Sequence, residues 1–348
     1  MMAVREAGPL RGALIGCGFF AMNQLHAWQD LPDVEIVALC DRDPARLAAA
    51  GERFAIAARY TDAARMLDEE RLDFVDIATT PPSHRSLVEL AARHRVAIIC
   101  QKPVAPTIED ARAMVQAAAQ AGVPMMVHEN FRWQTPILAV KRAVVEGRIG
   151  APFWGRVSFR SGYDVYAAQP YLATGARFII EDLGIHVLDV ARFLLGDAHA
   201  ITARILRVNP AIRGEDVATM LLDHGGGVTS VVDCSYATRQ EHDPFPESFV
   251  EIDGTLGTLR LGRDYRLRIS GPGGSTEEDV SPPVLPWAQR PWHNIQESVL
   301  NIQRHWVEAL RAGRTPDTSG SDNLQTFALV QAAYRSAATG QTVRLDTV

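Results

Sequence analysis

Apolar runs and helical patterns alternate along roughly the first 150 residues. Five apolar runs are predicted to be strands, at 13–16, 34–40, 74–78, 96–100 and 125–128. The segments between them carry helix signals, with N-caps at Asp43 and Thr107 and a C-cap at Gly122. This alternation is typical of βαβ units around a parallel sheet and predicts a doubly wound, Rossmann-type α/β domain over residues 1–130.

From Phe153 onward, strand-like segments are separated by Gly, Pro, Asn and Asp clusters. They lie at 157–159, 200–208, 218–222, 228–236, 249–252 and 266–269. We predict one helix among them at 179–195, a long loop at 271–292 and two closing helices at 294–312 and 323–339. This pattern favours an α+β domain over residues 131–348 with a large, mostly antiparallel open sheet, whose closing helices can pack back on the first domain.

Composition narrows the class of protein. Of the 348 residues, 47% are hydrophobic and 22% are charged, which is ordinary for a globular protein. The net charge of −6 argues against a nucleic-acid partner, and no apolar run approaches the ~18 residues of a membrane span. The four cysteines form no C-x-x-C pair, so we expect no metal site and a reducing cytoplasmic location.

A candidate phosphate loop follows the first strand. Residues 16–21 read G-C-G-F-F-A and fit the dinucleotide pattern G-x-G-x-x-G/A. We expect Gly16, Gly18, Phe19 and Phe20 to border the pyrophosphate. Asp41, at the end of the second strand, is placed to bind ribose hydroxyls. The neighbouring Arg42 could accept a 2′-phosphate, so NAD is the predicted cofactor and NADP stays open.

Three later segments carry further candidate chemistry. Residues 79–84 read T-T-P-P-S-H, and residues 101–103 read Q-K-P; both segments follow predicted strands, where ligands bind in such sheets. The third, residues 181–189, reads E-D-L-G-I-H-V-L-D on the predicted helix of the second domain.

With these motifs the chain resembles the family named for glucose–fructose oxidoreductase, inositol dehydrogenase and the rhizopine-catabolism protein (Gfo/Idh/MocA). The family has a Glu-Lys-Pro motif, with Gln101 replacing the glutamate here, and an Asp-x-Gly-x-His motif. The resemblance implies that Lys102, Asp182 and His186 are catalytic. It also implies a homodimer or homotetramer formed through the second-domain sheet. Candidates for cofactor contact beyond the phosphate loop are Thr79, Thr80, Pro81, His84, Gln101, Lys102 and Asn130.

Residue chemistry agrees with these roles. Asp182 and His186 are four apart, hence on one helix face, which Asp189 extends. Histidine exchanges protons near neutral pH, so His186 is assigned as general acid/base with Asp182 as its partner or as a substrate hydroxyl acceptor. Lys102 would donate to the reacting oxygen and stabilise a developing alkoxide. Candidate substrate contacts are Arg160, Tyr163, Asp164, Tyr236 and His293.

The predicted function is hydride transfer between NAD(P) and a secondary alcohol or ketone of a sugar, sugar derivative or cyclitol. Two alternatives stay open within the resemblance. One is a glycosidase-type enzyme that retains NAD and oxidises its substrate transiently. The other is a non-enzymatic regulator that senses the dinucleotide.

Overall fold

The computed structural model describes residues 8–345 and divides them into two compact units. The first comprises residues 8–129 and 299–324, and the second comprises residues 130–298 and 325–345. The first unit thus combines the N-terminal residues with a late segment, residues 299–324.

Six parallel strands form the sheet of the first unit, in the order β3-β2-β1-β4-β5-β6. This order confirms the predicted Rossmann topology. The short β3, with partly exposed side chains, was not predicted because it has no apolar run. The strands are β1 Leu10–Ile15, β2 Val34–Cys40, β3 Ala58–Tyr60, β4 Phe74–Ile77, β5 Ala97–Gln101 and β6 Met125–His128.

The helices of this unit begin where the capping residues predicted. Asp43 accepts hydrogen bonds from Ala45 N and Arg46 N, and Thr107 accepts one from Asp110 N. Gly122 ends its helix in the left-handed conformation at φ 68°. The helices are α1 Phe19–Gln29, α2 Pro44–Arg53, α3 Ala63–Glu69, α4 Pro81–Arg93 and α5 Ile108–Ala121.

Nine strands form the sheet of the second unit, in the order β14-β13-β12-β11-β7-β10-β9-β8-β15. All neighbours are antiparallel except β7 and β10. The strands are β7 Pro152–Arg160, β8 Ala200–Leu206, β9 Val217–Asp223, β10 Thr229–Ser235, β11 Phe249–Gly254, β12 Gly257–Leu261, β13 Arg266–Gly271, β14 Gly274–Asp279 and β15 Val343–Arg344.

The predicted loop at 271–292 is wrong over β14. All six side chains of β14 are exposed on an edge strand, so no alternation of buried and exposed positions marks it. β12 was missed as well.

Helix α7, Ile185–Leu195, packs on β7 and β10 and continues a π-helical turn at Ile180–Gly184. The predicted helix at 179–195 is thus present, but its first turn is wider than an α-helical turn. The remaining α-helices are α6 Thr135–Val145, α8 His293–Arg311 and α9 Gly320–Thr339; 3-10 turns lie at Phe131–Trp133, Pro170–Ala173 and Arg263–Tyr265. Among residues 8–345 no helix is both long and apolar enough to cross a membrane.

Candidate active site

The phosphate loop joins β1 to α1, and its two glycines do different work. Gly16 has a φ of +100°, and a Cβ there would lie 2.8–2.9 Å from atoms of Ala78 and Thr79. Gly18 faces open space, with no atom within 4 Å of an added Cβ. Gly18 also precedes α1 without a side-chain cap. A pyrophosphate thus has room to approach the backbone at Gly18, while Gly16 makes the turn possible.

Asp41 borders this loop at the end of β2. Its carboxylate accepts hydrogen bonds from Cys17 N at 2.6 Å and Asp43 N at 2.8 Å. Each oxygen keeps a further lone pair, so Asp41 can still accept bonds from ribose hydroxyls. Arg42 is exposed beside it. The residues present therefore fit a dinucleotide, and a carboxylate held at this position disfavours a 2′-phosphate.

Phe19 and Phe20 differ in environment. Phe19 is exposed, whereas the partly buried Phe20 sets its ring edge-on to His128, with centroids 6.0 Å apart.

The strand-end segments after β4 and β5 are joined by His84. Its ring nitrogens lie 3.0 Å from Thr79 O and 3.0 Å from Val104 O, and the side chain is fully buried. Burial lowers the pKa of His84, which favours the neutral ring. This corrects the expectation of direct cofactor contact, because His84 has no exposed atom and instead holds the loop of Thr79. Thr80 and Pro81 lie at the start of α4.

Gln101 ends β5, and Lys102 follows it. Gln101 accepts a hydrogen bond from Lys102 N through its amide oxygen at 2.7 Å, so the uncharged replacement still holds the backbone of the lysine. Lys102 is partly buried and precedes Pro103 through a cis peptide bond.

The imidazole of His186 lies in the second unit, in the first turn of α7. It is 5% exposed and stacks on the Phe131 ring with centroids 4.0 Å apart and planes 7° apart. Asp182 lies one turn earlier and is partly buried in the π-turn. Gly184 fits this turn closely, because an added Cβ would lie 3.3 Å from Ile179 O and Ile180 Cβ.

The charge of Asp182 acts on two tyrosines of the second unit. Burial, with the charge of Asp182 adding to it, raises the pKa of Tyr236 well above its usual value. Burial likewise raises the pKa of Tyr166 to about 12, with a small contribution from Asp182. Both phenols therefore stay protonated at neutral pH and can donate hydrogen bonds. Tyr236 was a predicted substrate residue; Tyr166 was not, since nothing in its local sequence marks it.

Two other candidate substrate residues belong to aromatic contacts. Tyr163 stacks on Phe245 with centroids 4.1 Å apart, and its hydroxyl accepts a hydrogen bond from Trp292 Nε1 at 3.1 Å. His293 is 3% exposed and sets its ring against Tyr265.

Arg160 and Asp164 are placed differently from the expectation. Arg160 pairs with Asp233 at 3.2 Å, whereas its neighbour Phe159 faces Phe131 on the α7 side of the sheet. Since strand neighbours point to opposite faces, Arg160 lies away from His186. Asp164 is exposed and accepts bonds from Tyr166 N and Ala167 N, closing a turn.

Asp189, which extends the helix face of His186, is not open to a substrate. It is fully buried and bound by Arg132 through two hydrogen bonds of 2.7 and 2.5 Å. Asn130 lies just before the 3-10 turn that contains Arg132, and it donates a hydrogen bond to Ser298 Oγ at 2.6 Å.

Glu215 is a second buried carboxylate that sequence reasoning missed. It accepts hydrogen bonds from Phe178 N and Ile180 N, both at 3.3 Å, and from Tyr334 at 2.6 Å. Glu215 thereby fixes the start of the π-turn that carries Asp182.

Comparison with known proteins agrees with both units. Residues 10–129 match the model of the oxidoreductase family with an NAD-binding Rossmann fold, and residues 137–260 match the Gfo/Idh/MocA C-terminal domain. The chain belongs to the Gfo/Idh/MocA family. The resemblance stated from the motifs is thereby confirmed, as are the oxidoreductase class and the NAD-binding domain.

Several relatives of this Gfo/Idh/MocA protein match along nearly the whole chain. D-apiose dehydrogenase of Rhizobium rhizogenes is 62% identical, over 97% of this chain and 98% of that protein. The D-apiose dehydrogenase of Paraburkholderia graminis is 63% identical, over 97% and 90%. An oxidoreductase from Agrobacterium radiobacter, crystallised with NAD+, L-tartaric acid and magnesium, has 62% identity and a TM-score of 0.96, covering 97% of this chain and 99% of that chain.

Proposed function

We propose that this protein is an NAD+-dependent sugar dehydrogenase that oxidises a CH–OH carbon of D-apiose. The observation that carries the reaction class is the buried His186 and the adjacent Asp182, on a π-turn and helix built to hold them, in a chain whose other unit has the NAD-binding loop. The substrate rests on the 62–63% identity with two D-apiose dehydrogenases.

The proposed roles follow from residue chemistry. NAD+, when bound, accepts the hydride that leaves the carbinol carbon. Gly18 and Asp41 hold the pyrophosphate and ribose. His186 accepts the hydroxyl proton as general base, and Asp182 orients the sugar or the imidazole. Lys102 donates a hydrogen bond to the reacting oxygen and stabilises its developing negative charge.

The test is NADH formation with purified protein across a panel of D-apiose, other pentoses, myo-inositol and levoglucosan. We expect D-apiose to give the highest kcat/KM. His186→Ala and Lys102→Ala should each lose about 100-fold or more in kcat. His242→Ala, at a histidine that is exposed, is the matched control and should keep full activity. Full turnover in the His186 and Lys102 variants would refute the assigned roles.

A cofactor test separates NAD from NADP. The carboxylate of Asp41 should repel the 2′-phosphate, so NADP+ should support little turnover. Asp41→Ser should weaken NAD+ binding and reduce the preference of the enzyme for NAD+ over NADP+.

We also propose a homo-oligomer formed through the second-unit sheet, working in the cytoplasm. One face of the sheet exposes large apolar side chains on neighbouring strands, Leu206 on β8 and Leu221 on β9. All four cysteines are free and buried, as suits a reducing compartment. Light scattering that detects only a 38.1 kDa species would reject the oligomer.

A further inference from the structure

The 3-10 turn Phe131–Trp133 makes two side-by-side contacts with α7. Phe131 lies flat against the His186 ring, and the next residue, Arg132, binds Asp189. His186 and Asp189 are three apart and so lie one helical turn from each other on one face. The turn and the helix are therefore joined at two adjacent points, one of which is the proposed general base.

The Arg132–Asp189 contact is rigid. Two of the three guanidinium nitrogens, Nε and Nη2, each donate to a different oxygen of the carboxylate, which fixes the relative orientation of the two planes. Thr326 Oγ1 donates to the same carboxylate at 2.9 Å and accepts a bond from Arg192 at 2.7 Å. The side chains of Arg132 and Asp189 are 6% and 0% exposed. The Asp189 carboxylate is thus held by both Arg132 and Thr326.

A buried ion pair is a poor means of stabilising a fold, because desolvation of both charges offsets their attraction. An apolar pair of similar size would stabilise the core about as well. What the ion pair adds is a single permitted geometry. Here that geometry fixes Arg132, the residue next to Phe131. Phe131 in turn fixes the plane of the His186 imidazole.

We infer that Arg132 and Asp189 are positioning residues, which hold Phe131 against His186 so that the imidazole keeps one orientation for proton transfer. This inference rests on the proposed role of His186. Proton transfer requires hydrogen-bond geometry between base and hydroxyl, and a displacement of about 1 Å can cost on the order of 100-fold in rate.

The experiment compares Phe131→Leu and Asp189→Asn with the unaltered protein. Leucine keeps an apolar side chain but has no flat face. Asparagine keeps the shape of the aspartate but gives up its charge. We expect kcat to fall about 10- to 100-fold in Phe131→Leu and by less in Asp189→Asn. KM for the sugar and Kd for NAD+ should change by less than about twofold, because neither residue is assigned to bind substrate or cofactor.

The solvent isotope effect on kcat distinguishes positioning from loss of folded protein. Misplacement slows the proton-transfer step, so the ratio of rates in H2O and D2O should rise in both variants. A smaller folded fraction would lower kcat and leave the ratio unchanged. Phe131→Tyr keeps the flat ring and should stay within about threefold of the unaltered kcat.

Asp253→Asn is the matched control. It removes a carboxylate that binds Arg260 on the second-unit sheet and has no part in the Arg132–Asp189 contact. We expect kcat and the isotope effect to stay unchanged. Folded Phe131→Leu and Asp189→Asn proteins with unaltered kcat and isotope effect would overturn the inference. Full activity of His186→Ala would instead overturn the proposed function, so the two failures are distinguishable.

Discussion

The two units fix their candidate functional groups by different means. In the first unit the backbone does so: Gly16 at φ +100° forms the turn, and Gly18 leaves space for the phosphates. In the second unit buried charged side chains do so: Arg132 fixes Asp189 beside His186, and Glu215 fixes the start of the π-turn.

This difference shows which parts of a site a sequence reveals. A turn formed by the backbone is local, since the consecutive residues that form it are also the motif by which it is recognised. A buried ion pair needs partners that are distant in the chain, such as Arg132 and Asp189, and neither residue shows in the sequence which partner it binds.

Arg132→Ala should have the largest effect on folding. It leaves the carboxylate of Asp189 buried and without its main cation, which costs about 3–5 kcal/mol. Chemical denaturation followed by circular dichroism measures the loss. Arg260→Ala, which removes an arginine that pairs at a partly exposed site with Glu251 and Asp253, should cost about 1 kcal/mol or less. Equal losses in the two variants would show that the buried pair has no special importance.

Gly16→Ala disrupts the turn of the phosphate loop in the first unit. The added Cβ would meet backbone atoms of Ala78 and Thr79, and the alanine would have to adopt a positive φ. We therefore expect the free energy of unfolding to fall by about 2–3 kcal/mol. Gly122 has a φ of +68°, in the left-handed helical region, with open space around it, so Gly122→Ala should lose only about 1 kcal/mol. If the Gly16 variant lost no more stability than the Gly122 variant, crowding at Gly16 would be irrelevant.

Sequence patterns predicted most of the first unit. Five of its six strands, the caps of α2 and α5, and the phosphate loop follow from residues adjacent in the chain. The family motifs located His186 and Asp182, but they did not reveal the stacking of Phe131 on His186. Helical periodicity placed Asp189 on the face of His186, but it could not reveal that Asp189 binds Arg132, 57 residues earlier.

Failures in the second unit have the same physical origin. β14 is exposed at every position, so it is held by hydrogen bonds to β13 that no hydrophobic pattern reports. Arg160 was placed in the pocket from its residue type alone. Side chains alternate between the two faces of the sheet along β7, and Arg160 lies on the face opposite to Phe159. Which residues face which side was uncertain until the neighbouring strands were known.

Gly18→Ala separates binding from folding. The Cβ enters open space, so the melting temperature should not change. The methyl group occupies the space assigned to the pyrophosphate, and Kd for NAD+ should rise about tenfold, equivalent to about 1.4 kcal/mol. Calorimetric titration measures it. Unchanged NAD+ affinity would place the pyrophosphate elsewhere.

The smallest effect concerns Asp76, a buried carboxylate of the first unit that contrasts with Asp189. Its donors are neutral, Gln24 Nε2 at 3.1 Å and Trp28 Nε1 at 2.8 Å. Burial raises the pKa of Asp76 to about 7. Between about pH 4 and pH 7 the folded protein therefore keeps a proton that the unfolded chain has released, and its stability falls as the pH rises.

Asp76→Asn abolishes this titration. The free energy of unfolding of the variant relative to the unaltered protein should rise, on the order of 1 kcal/mol, from pH 5 to pH 7 and stay level above that. Denaturation at several pH values measures the difference. A difference between the two proteins that stays constant from pH 5 to pH 7 would show that burial does not hold the proton on Asp76.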